Sequence, residues 1–313
     1  IQALISVTLR ISSGSMGTMI DQNFGEIVAD WYRSGNTFSW KGNEVFYRDF
    51  GAGPAMLLVH GFPTAGCDWA DISNVLSKHF RLIVPDLLDY GQSANPGKRR
   101  WHIHDQADMC ESLLQVAGAS SAHILAHDVG DTVSQELLAR HNEGALSFGI
   151  DSLVLMNGGI FPAEHRARPV QKLLLSSVGP LAASVMGQKK FIQALNEIFG
   201  PETKPDEAAQ DAIWQISIGV NGKRSLARRI HYMSDRLQHE QRWVGALKET
   251  DVRMLMINGT ADPVSGSHVC DVIESEVPAM QVVRLERIGH FPPLEAPDTC
   301  IEHILAFHRP EAG

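Results

Sequence analysis

Short, predominantly apolar segments alternate with amphipathic stretches along most of this chain. The apolar segments cover residues 55–61, 81–86, 122–128, 152–159, 252–259 and 280–290. Helical patterns lie between them or follow them, at residues 70–79, 104–118, 130–142, 267–277 and 297–308. A strand that is apolar at nearly every position is buried on both faces, as in a parallel sheet covered by helices. The alternation therefore predicts an α/β fold, with a mostly parallel sheet flanked by helices.

Two regions depart from this alternation. Residues 37–51 are rich in aromatic and β-branched side chains and are interrupted at Gly42-Asn43, which predicts a β-hairpin. Residues 161–248 show helical periodicity without a convincing strand, and they follow a strand end, where sheets of this kind bind ligands. We therefore predict a helical cap at 161–248, inserted into a core formed by residues 16–160 and 249–313. We expect residues 1–15, which precede Met16, to be a vector-derived or upstream extension.

The balance of charge and the spacing of cysteines limit the classes of partner. The 313 residues include 27 Lys and Arg against 36 Asp and Glu, and the longest basic cluster is the triplet at 98–100. We therefore expect no nucleic-acid partner. No apolar run approaches the ~20 residues that span a bilayer, and the four cysteines lack metal-binding spacing. These observations predict a cytoplasmic protein with reduced thiols, no membrane span and no metal site.

An aspartate, Asp128, stands at a strand-to-helix turn between the small residues Ala126 and Gly130. Small residues on both sides of a central nucleophile allow a sharp turn that exposes this side chain above the carboxyl edge of the sheet. An aspartate at the start of a helix is otherwise a common N-cap. Asp262 follows another buried strand and His290 follows the last one, so the chain order is nucleophile, acid, base. This order favours a nucleophile over a cap.

Five segments resemble the landmarks of α/β-hydrolases in order, and the resemblance covers residues 37–310. The segments read HGFPTAGCDW, PDLLDYGQSANP, HDVGD, GTADPV and GHFPPLEAP. The aspartate nucleophile and the HGFP segment resemble the epoxide hydrolase and haloalkane dehalogenase branch of this superfamily. NGGIFP and RWVGAL are most similar to the mesoderm-specific transcript-like hydrolases. The resemblance implies an α/β-hydrolase fold that carries a helical cap.

The resemblance also implies a covalent mechanism without a cofactor. Asp128 would attack a saturated carbon and form an alkyl ester, and His290, oriented by Asp262, would activate water to hydrolyse that ester. The backbone N–H groups of Phe62 and Val129 would hold the oxyanion. The implied partners are a small apolar substrate, such as an epoxide or a related electrophile, and water. We expect a monomer or a homodimer.

The leaving group distinguishes the members of this branch. Dehalogenases usually place a tryptophan after the nucleophile and some place an asparagine after HG, whereas this chain has Val129 and Phe62. Epoxide hydrolases use cap tyrosines to donate a proton to the departing oxygen. Tyr232 resembles one of them and is the only tyrosine between residues 161 and 248. We therefore predict an epoxide hydrolase that opens an epoxide to a diol.

Several alternatives remain open at this point. Tyr232 could be a packing residue, and a second proton donor could be His165, His231 or absent. The protein could be a haloalkane dehalogenase that uses Trp214 or Trp243, or a non-catalytic or esterase-like hydrolase fold that binds a ligand. The remaining residues assigned to the substrate pocket are His60, Gly61, Pro63, Trp69, His127, Asn157, Trp243 and Phe291. For His127 a buried histidine bonded to backbone is the alternative, and for Asn157 it is support of a loop.

Overall fold

The computed structural model describes residues 19–309, and residues 1–15 lie outside this range. The strands in this range are β1 (Asn36–Trp40), β2 (Asn43–Gly51), β3 (Ala55–Val59), β4 (Arg81–Pro85), β5 (Ser121–Ala126), β6 (Gly149–Leu155), β7 (Met254–Gly259) and β8 (Gln281–Leu285). They form one sheet in the order β1-β2-β4-β3-β5-β6-β7-β8. Strand β2 is antiparallel to β1 and β4, and all other neighbours are parallel. The predicted mostly parallel sheet is confirmed.

Helices connect these strands. They are α1 (Met19–Arg33), α2 (Ala70–Leu76), α3 (Ile103–Val116), α4 (Val129–Asn142), α5 (Pro169–Leu175), α6 (Gly179–Val185), α7 (Gln188–Asn196), α8 (Glu207–Ile218), α9 (Ser225–Arg229), α10 (Tyr232–Gln238), α11 (Glu240–Glu249), α12 (Ser267–Glu276), α13 (Pro292–Glu295) and α14 (Pro297–Phe307). The sequence patterns predicted the helices of the core that follow β3, but they gave no indication of α1.

Side chains of the central strands are buried alternately on the two faces of the sheet. In β3, Leu57 and Val59 join the core that contains α3, α4 and α12, whereas Met56 and Leu58 join the core that contains α1, α2 and α14. All four are fully buried. Because each fully buried side chain of this size contributes about 1.5–3 kcal/mol relative to exposure, continuously apolar strands require helices on both sides. The described helices therefore cover both faces.

The predicted hairpin is present, with its turn one residue earlier than expected. Trp40 pairs with Asn43, so the turn residues are Lys41 and Gly42. Both have positive φ, 44° and 78°, as a two-residue type I′ turn requires. Glycine is well suited to the second position because it carries no Cβ.

The chain between β6 and β7 contains helices α5 to α11 and no strand. The bounds of the cap, 161–248, remain a prediction. Helix α11 packs against α4 of the core, and α8 packs against α1. All four cysteines, which lie within the described range, are buried and free. No helix among residues 19–309 is long and apolar enough to cross a membrane.

Candidate active site

The turn between β5 and α4 holds Asp128 in a strained backbone conformation. Asp128 has φ 48° and ψ −104°, in a region that non-glycine residues rarely occupy. Its N–H donates to the carbonyl of Met156 over 3.0 Å. A Cβ at Gly130 would lie 2.2 Å from the carbonyl oxygen of Val59, so only glycine fits there. The small residue in the sequence pattern is therefore required by the close approach of β3.

The Asp128 side chain does not cap its own helix within the described residues. Its Oδ2 atom accepts a hydrogen bond from the Phe62 N–H over 3.0 Å. Phe62 lies just beyond the end of β3, in the HGFP segment. Val129 N–H makes no corresponding hydrogen bond to either carboxylate oxygen in residues 19–309. Of the two expected oxyanion donors, only the Phe62 N–H therefore contacts the Asp128 carboxylate in the described residues.

His290 lies between the two aspartates. Its Nδ1 is 2.7 Å from Oδ2 of Asp262, and its Nε2 is 4.0 Å from Oδ2 of Asp128. The same oxygen of Asp262 accepts hydrogen bonds from Asn157 Nδ2 over 3.0 Å and Ser265 Oγ over 2.9 Å. Burial disfavours the charge of Asp262, but His290, followed by the hydrogen bonds from the Val264 N–H and Asn157, outweighs burial and lowers the Asp262 pKa to about 2. Asp262 is thus a permanently charged partner that orients the imidazole.

Two opposing effects determine the protonation of His290. Burial lowers its pKa, but the negative charges of Asp262 and Asp128 outweigh burial and raise the pKa to about 9. His290 is therefore protonated at neutral pH while Asp128 is ionised. Conversion of Asp128 to an ester would remove one of these charges and lower the His290 pKa. The base needed for ester hydrolysis would then become available after the ester forms.

His60 and His127 are buried and hold the loops around the nucleophile. His60 Nδ1 is 2.9 Å from the Gly61 carbonyl, and its Nε2 accepts from the Leu87 N–H over 2.9 Å. His127 Nε2 lies 2.7 Å from the carbonyl of His290. Burial lowers the pKa of His60 to about 3 and that of His127 to about 4, so both are neutral at pH 7. For His127 this is the alternative stated above, a buried histidine bonded to backbone.

Arg236 on α10 contacts Asp128 directly, and sequence reasoning missed it. Its Nη2 donates to the Asp128 carbonyl over 2.8 Å and to Asp128 Oδ1 over 3.2 Å, while Nε donates to Thr132 Oγ1 over 2.7 Å. Only 2% of the arginine is exposed. Burial opposes the charge of Asp128, but Arg236 and then His290 outweigh it and lower the Asp128 pKa. A signal existed, because Tyr232 and Arg236 are four residues apart and share one helix face.

A cavity of about 60 Å³ opens at Asp128 and His290. Its wall is mostly apolar and comes from the segment after β3 and from α5 and α7 of the cap, with Phe62, Pro63, Val170, Leu174, Phe191, Leu195, Ile198 and Val264. A water needs at least about 10–15 Å³ of such space, so the cavity has room for more than one water. This volume suits a small apolar group beside the carboxylate.

Tyr232 lies near Asp128 and lines a second cavity of about 10 Å³ together with Val129, while its hydroxyl lies near Gln171 of the larger cavity wall. Its ring centroid is 5.9 Å from that of Phe62, and the Arg236 guanidinium is 4.6 Å from the ring centroid. The hydroxyl is buried and makes no well-formed hydrogen bond within the described residues, although Gln171 lies close enough to favour its charged form. Burial and then the Asp128 charge raise the pKa of Tyr232 well above its ordinary value. The hydroxyl therefore keeps its proton at neutral pH.

The two candidates for a second proton donor, His165 and His231, lie in different places. His165 contributes two shielded ring nitrogens without a hydrogen-bond partner in the described residues, and burial lowers its pKa to about 4. A Cβ at Gly159 would lie 2.7 Å from both His165 Nδ1 and Arg236 Nη1, so these atoms are close together. The charged neighbours of His231 are Arg100, Asp235 and His102, which places it away from Asp128.

Of the eight residues assigned to the substrate pocket, only Pro63 lines the larger cavity within the described residues. His60, Gly61 and His127 belong to the loops around Asp128, and packing and hydrogen bonds hold the other four elsewhere. Trp69 is fully buried in the core on the α2 face of the sheet, and Trp243 donates its indole N–H to Glu136 over 2.8 Å. Asn157 supports the Asp262 loop, and it also donates to the Gly259 carbonyl over 3.1 Å. Phe291 packs edge-on against His290, with 5.0 Å between ring centroids. Packing and hydrogen bonds turn these four side chains away from the cavity. They therefore support the residues of the site and do not line the space for a substrate.

The chain belongs to the alpha/beta hydrolase family. The family profile, described as the alpha/beta hydrolase fold, matches residues 54–297. A solved alpha/beta hydrolase fold protein from Burkholderia ambifaria superposes with a TM-score of 0.74 at 20% identity, over 87% of this chain and 97% of that one. The fold and the family match therefore define a hydrolase of this family.

Two named relatives agree with the predicted branch. The chain is 35% identical to the mesoderm-specific transcript protein of Mus musculus, over 88% of this chain and 86% of that protein. It is 25% identical to haloalkane dehalogenase 2 of Mycobacterium bovis, over 58% of this chain and 62% of that protein. The resemblance to this branch and to the mesoderm-specific transcript-like hydrolases is confirmed.

Proposed function

We propose that the protein hydrolyses a small apolar epoxide to a diol through a covalent ester of Asp128. The observation that carries this proposal is a buried carboxylate at the elbow, 4.0 Å from the Nε2 of a histidine bonded to a second aspartate. A serine at this position would need His290 as its base, whereas a carboxylate needs no base, and Arg236 keeps this buried carboxylate ionised. The low pKa of Asp128 supports this role.

In the first step, Asp128 Oδ1 attacks an epoxide carbon while Oδ2 remains bound to the Phe62 N–H. The carbon–oxygen bond of the epoxide breaks, and the departing oxygen takes the proton of the Tyr232 hydroxyl. The products are a hydroxyalkyl ester and a tyrosinate. The Arg236 guanidinium, 4.6 Å from the tyrosine ring centroid, stabilises that negative charge.

Ester formation removes the charge of Asp128 and lowers the His290 pKa, so the imidazole loses its proton to solvent and regains it when Asp128 is ionised again. In the second step, the neutral His290 takes a proton from water, and the hydroxide attacks Cγ of the ester. The oxyanion forms at the oxygen bound by the Phe62 N–H, with Val129 N–H as the second expected donor. The intermediate collapses to release the diol, whose oxygen takes the proton from His290. The carboxylic acid of Asp128 returns its proton to the tyrosinate. No cofactor takes part in this proposed cycle.

The positions of the indole groups disfavour a haloalkane dehalogenase. The indole N–H of Trp243 is bound to Glu136, and Trp214 packs on Phe191 with 5.1 Å between ring centroids, outside the cavity wall. The residue after the nucleophile is Val129, which has no N–H on its side chain. An apolar wall and a neutral phenol near Asp128 are better suited to an epoxide.

We propose water and a small apolar molecule as the partners of the protein, and we keep a cytoplasmic location as an expectation.

A substrate panel tests this proposal. Wild type, Asp128→Asn and Tyr232→Phe would be assayed with small apolar epoxides, haloalkanes and activated esters. We expect diol formation by wild type, none by Asp128→Asn, and a decrease of roughly 100-fold or more for Tyr232→Phe, because general acid catalysis is worth about this much. Halide release as the main activity, full epoxide turnover by Tyr232→Phe, or ester hydrolysis alone would contradict the assignment.

A further inference from the structure

The outer surface of the cap carries a cluster of exposed apolar side chains. Seven large apolar residues are exposed among those whose side chains are described, and four of them lie between residues 173 and 185. We call these four the apolar cap patch: Leu173, Val178, Leu181 and Val185, exposed by 45%, 54%, 65% and 74%. Single exposed apolar residues are ordinary, whereas a cluster indicates an interaction surface.

The chain segment that carries this patch contains charge of one sign. Residues 165–196 include five basic side chains and no acidic one, although the whole chain has 27 basic and 36 acidic residues. Lys172, Lys189 and Lys190 are exposed, and none of them forms a salt bridge within the described residues. The lysines stand at the two ends of the uncharged segment 173–188. The segment is therefore apolar in the middle and basic at both ends, with Asp211 as an acidic neighbour that accepts a hydrogen bond from Gln188.

The same part of the cap forms a wall of the catalytic cavity. On α5, Leu173 faces solvent while its neighbour Leu174 is 3% exposed and lines the cavity with Val170 and Gln171. The apolar cap patch and the cavity thus share one short helix. An occupant of the patch would lie one helix away from the space above Asp128.

We propose that the apolar cap patch docks on an anionic lipid surface, with its aliphatic side chains in the acyl boundary and the three lysines among the headgroups. An exposed apolar face with lysines at its edges has the chemistry of a segment that lies in a membrane interface. A second copy of this chain fits less well, because a two-fold contact would bring like lysines together. This inference is independent of the reaction that the cavity performs.

Sedimentation with vesicles tests this surface on the intact protein. The vesicles contain phosphatidylcholine alone or with an equal share of phosphatidylserine. We expect binding to the mixed vesicles and much weaker binding to phosphatidylcholine alone. Removal of all three charges, with Lys172→Gln, Lys189→Gln and Lys190→Gln, would weaken binding about 100-fold, since each lysine near such a surface contributes about fivefold.

The apolar contribution is tested with Leu181→Asn/Val185→Asn, for which we expect at least about tenfold weaker binding. Val116→Asn/Leu237→Asn is the matched control, because these residues are 63% and 66% exposed elsewhere and should leave binding unchanged. Near-ultraviolet circular dichroism of each variant checks that it is folded. Absence of wild-type binding to the mixed vesicles, or equal losses in both pairs, would overturn the proposal. So would a vesicle-free dimer that Leu181→Asn/Val185→Asn dissociates.

Discussion

At the scale of single residues, the buried pair of Arg236 and Asp128 explains how this carboxylate, the proposed nucleophile, remains ionised. Asp128 is 3% exposed, and burial alone would protonate a carboxylate. Arg236 contacts its Oδ1 over 3.2 Å and also holds its carbonyl. The arginine thus fixes both the charge and the position of the strained turn.

Arg236→Gln should move the acid limb of the kcat/KM profile to higher pH. The carboxylate is active only when ionised, and in wild type the arginine holds the Asp128 pKa below its ordinary value of 3.8. Without the positive charge this pKa rises, so activity is lost at a higher pH, by roughly 1–3 units. The measurement is kcat/KM against pH on the substrate that the panel identifies.

Arg242→Gln is the matched control for this change. Arg242 lies on the next cap helix and bonds to Glu136 and Glu143, away from Asp128. We expect its acid limb to coincide with that of wild type. An unchanged limb in Arg236→Gln, with activity lowered equally at every pH, would show that the arginine acts only on structure.

At the scale of elements, Glu136 of α4 joins the core to the cap. This glutamate is 1% exposed and accepts hydrogen bonds from Arg140, Arg242 and Trp243, each over 2.8 Å. Arg242 and Trp243 both lie on α11, the last helix before β7. The sequence pattern could not reveal this junction because its partners are about 100 residues apart in the chain.

Trp243→Phe should lower stability and leave the chemistry intact. The change removes a buried hydrogen bond to a charged group, which costs roughly 1.5–3 kcal/mol. Trp243 does not line the cavity, so kcat/KM at 25 °C should stay within about twofold of wild type. Urea unfolding gives the free energy, and initial rates give the activity.

Trp40→Phe is the control for Trp243→Phe, because the indole of Trp40 on β1 bonds to a neutral group, the Ser112 hydroxyl on α3. Trp40 donates to Ser112 Oγ over 3.2 Å, so Trp40→Phe should cost less, roughly 0.5–1.5 kcal/mol. Loss of turnover in a fully stable Trp243→Phe protein would instead place that indole in the reaction.

Apolar runs predicted the sheet well because burial on both faces leaves a signal in every strand, as in Ala55–Val59. Helix α1 was missed, since no pattern was recognised before the hairpin.

The sequence likewise indicated some residues of the candidate site and not others. Order along the chain indicated Asp128, Asp262 and His290, but the contact of Arg236 depends on how α10 packs over the elbow. The four-residue spacing from Tyr232 places Arg236 on the same helix face, but it does not show what that face contacts.

Asp89 shows how the core and cap adapt to each other. The position has φ 74°, in a region that favours glycine but that aspartate tolerates better than most residues. Its carboxylate accepts two hydrogen bonds from Arg228 of α9, over 2.9 Å and 2.7 Å. The side chain therefore links the loop after β4 to the cap.

At the scale of the whole molecule, the sheet brings distant residues to one edge. Asp128 follows β5, Asp262 follows β7, His290 follows β8 and Phe62 follows β3. The cap adds Arg236 and the apolar wall. The arrangement supports a two-stage reaction, in which the charge of Asp128 first keeps His290 protonated and its loss on ester formation then frees the base.

The most direct test of the covalent mechanism is a single turnover in heavy-oxygen water, followed by mass analysis of the peptide that contains Asp128. Because water attacks Cγ of the ester, one labelled oxygen should remain in the Asp128 carboxylate and the first diol released should carry none from that water. Asp128→Asn provides the unlabelled reference peptide. Label in the diol and none at Asp128 would mean direct attack of water on the substrate and would contradict the covalent ester.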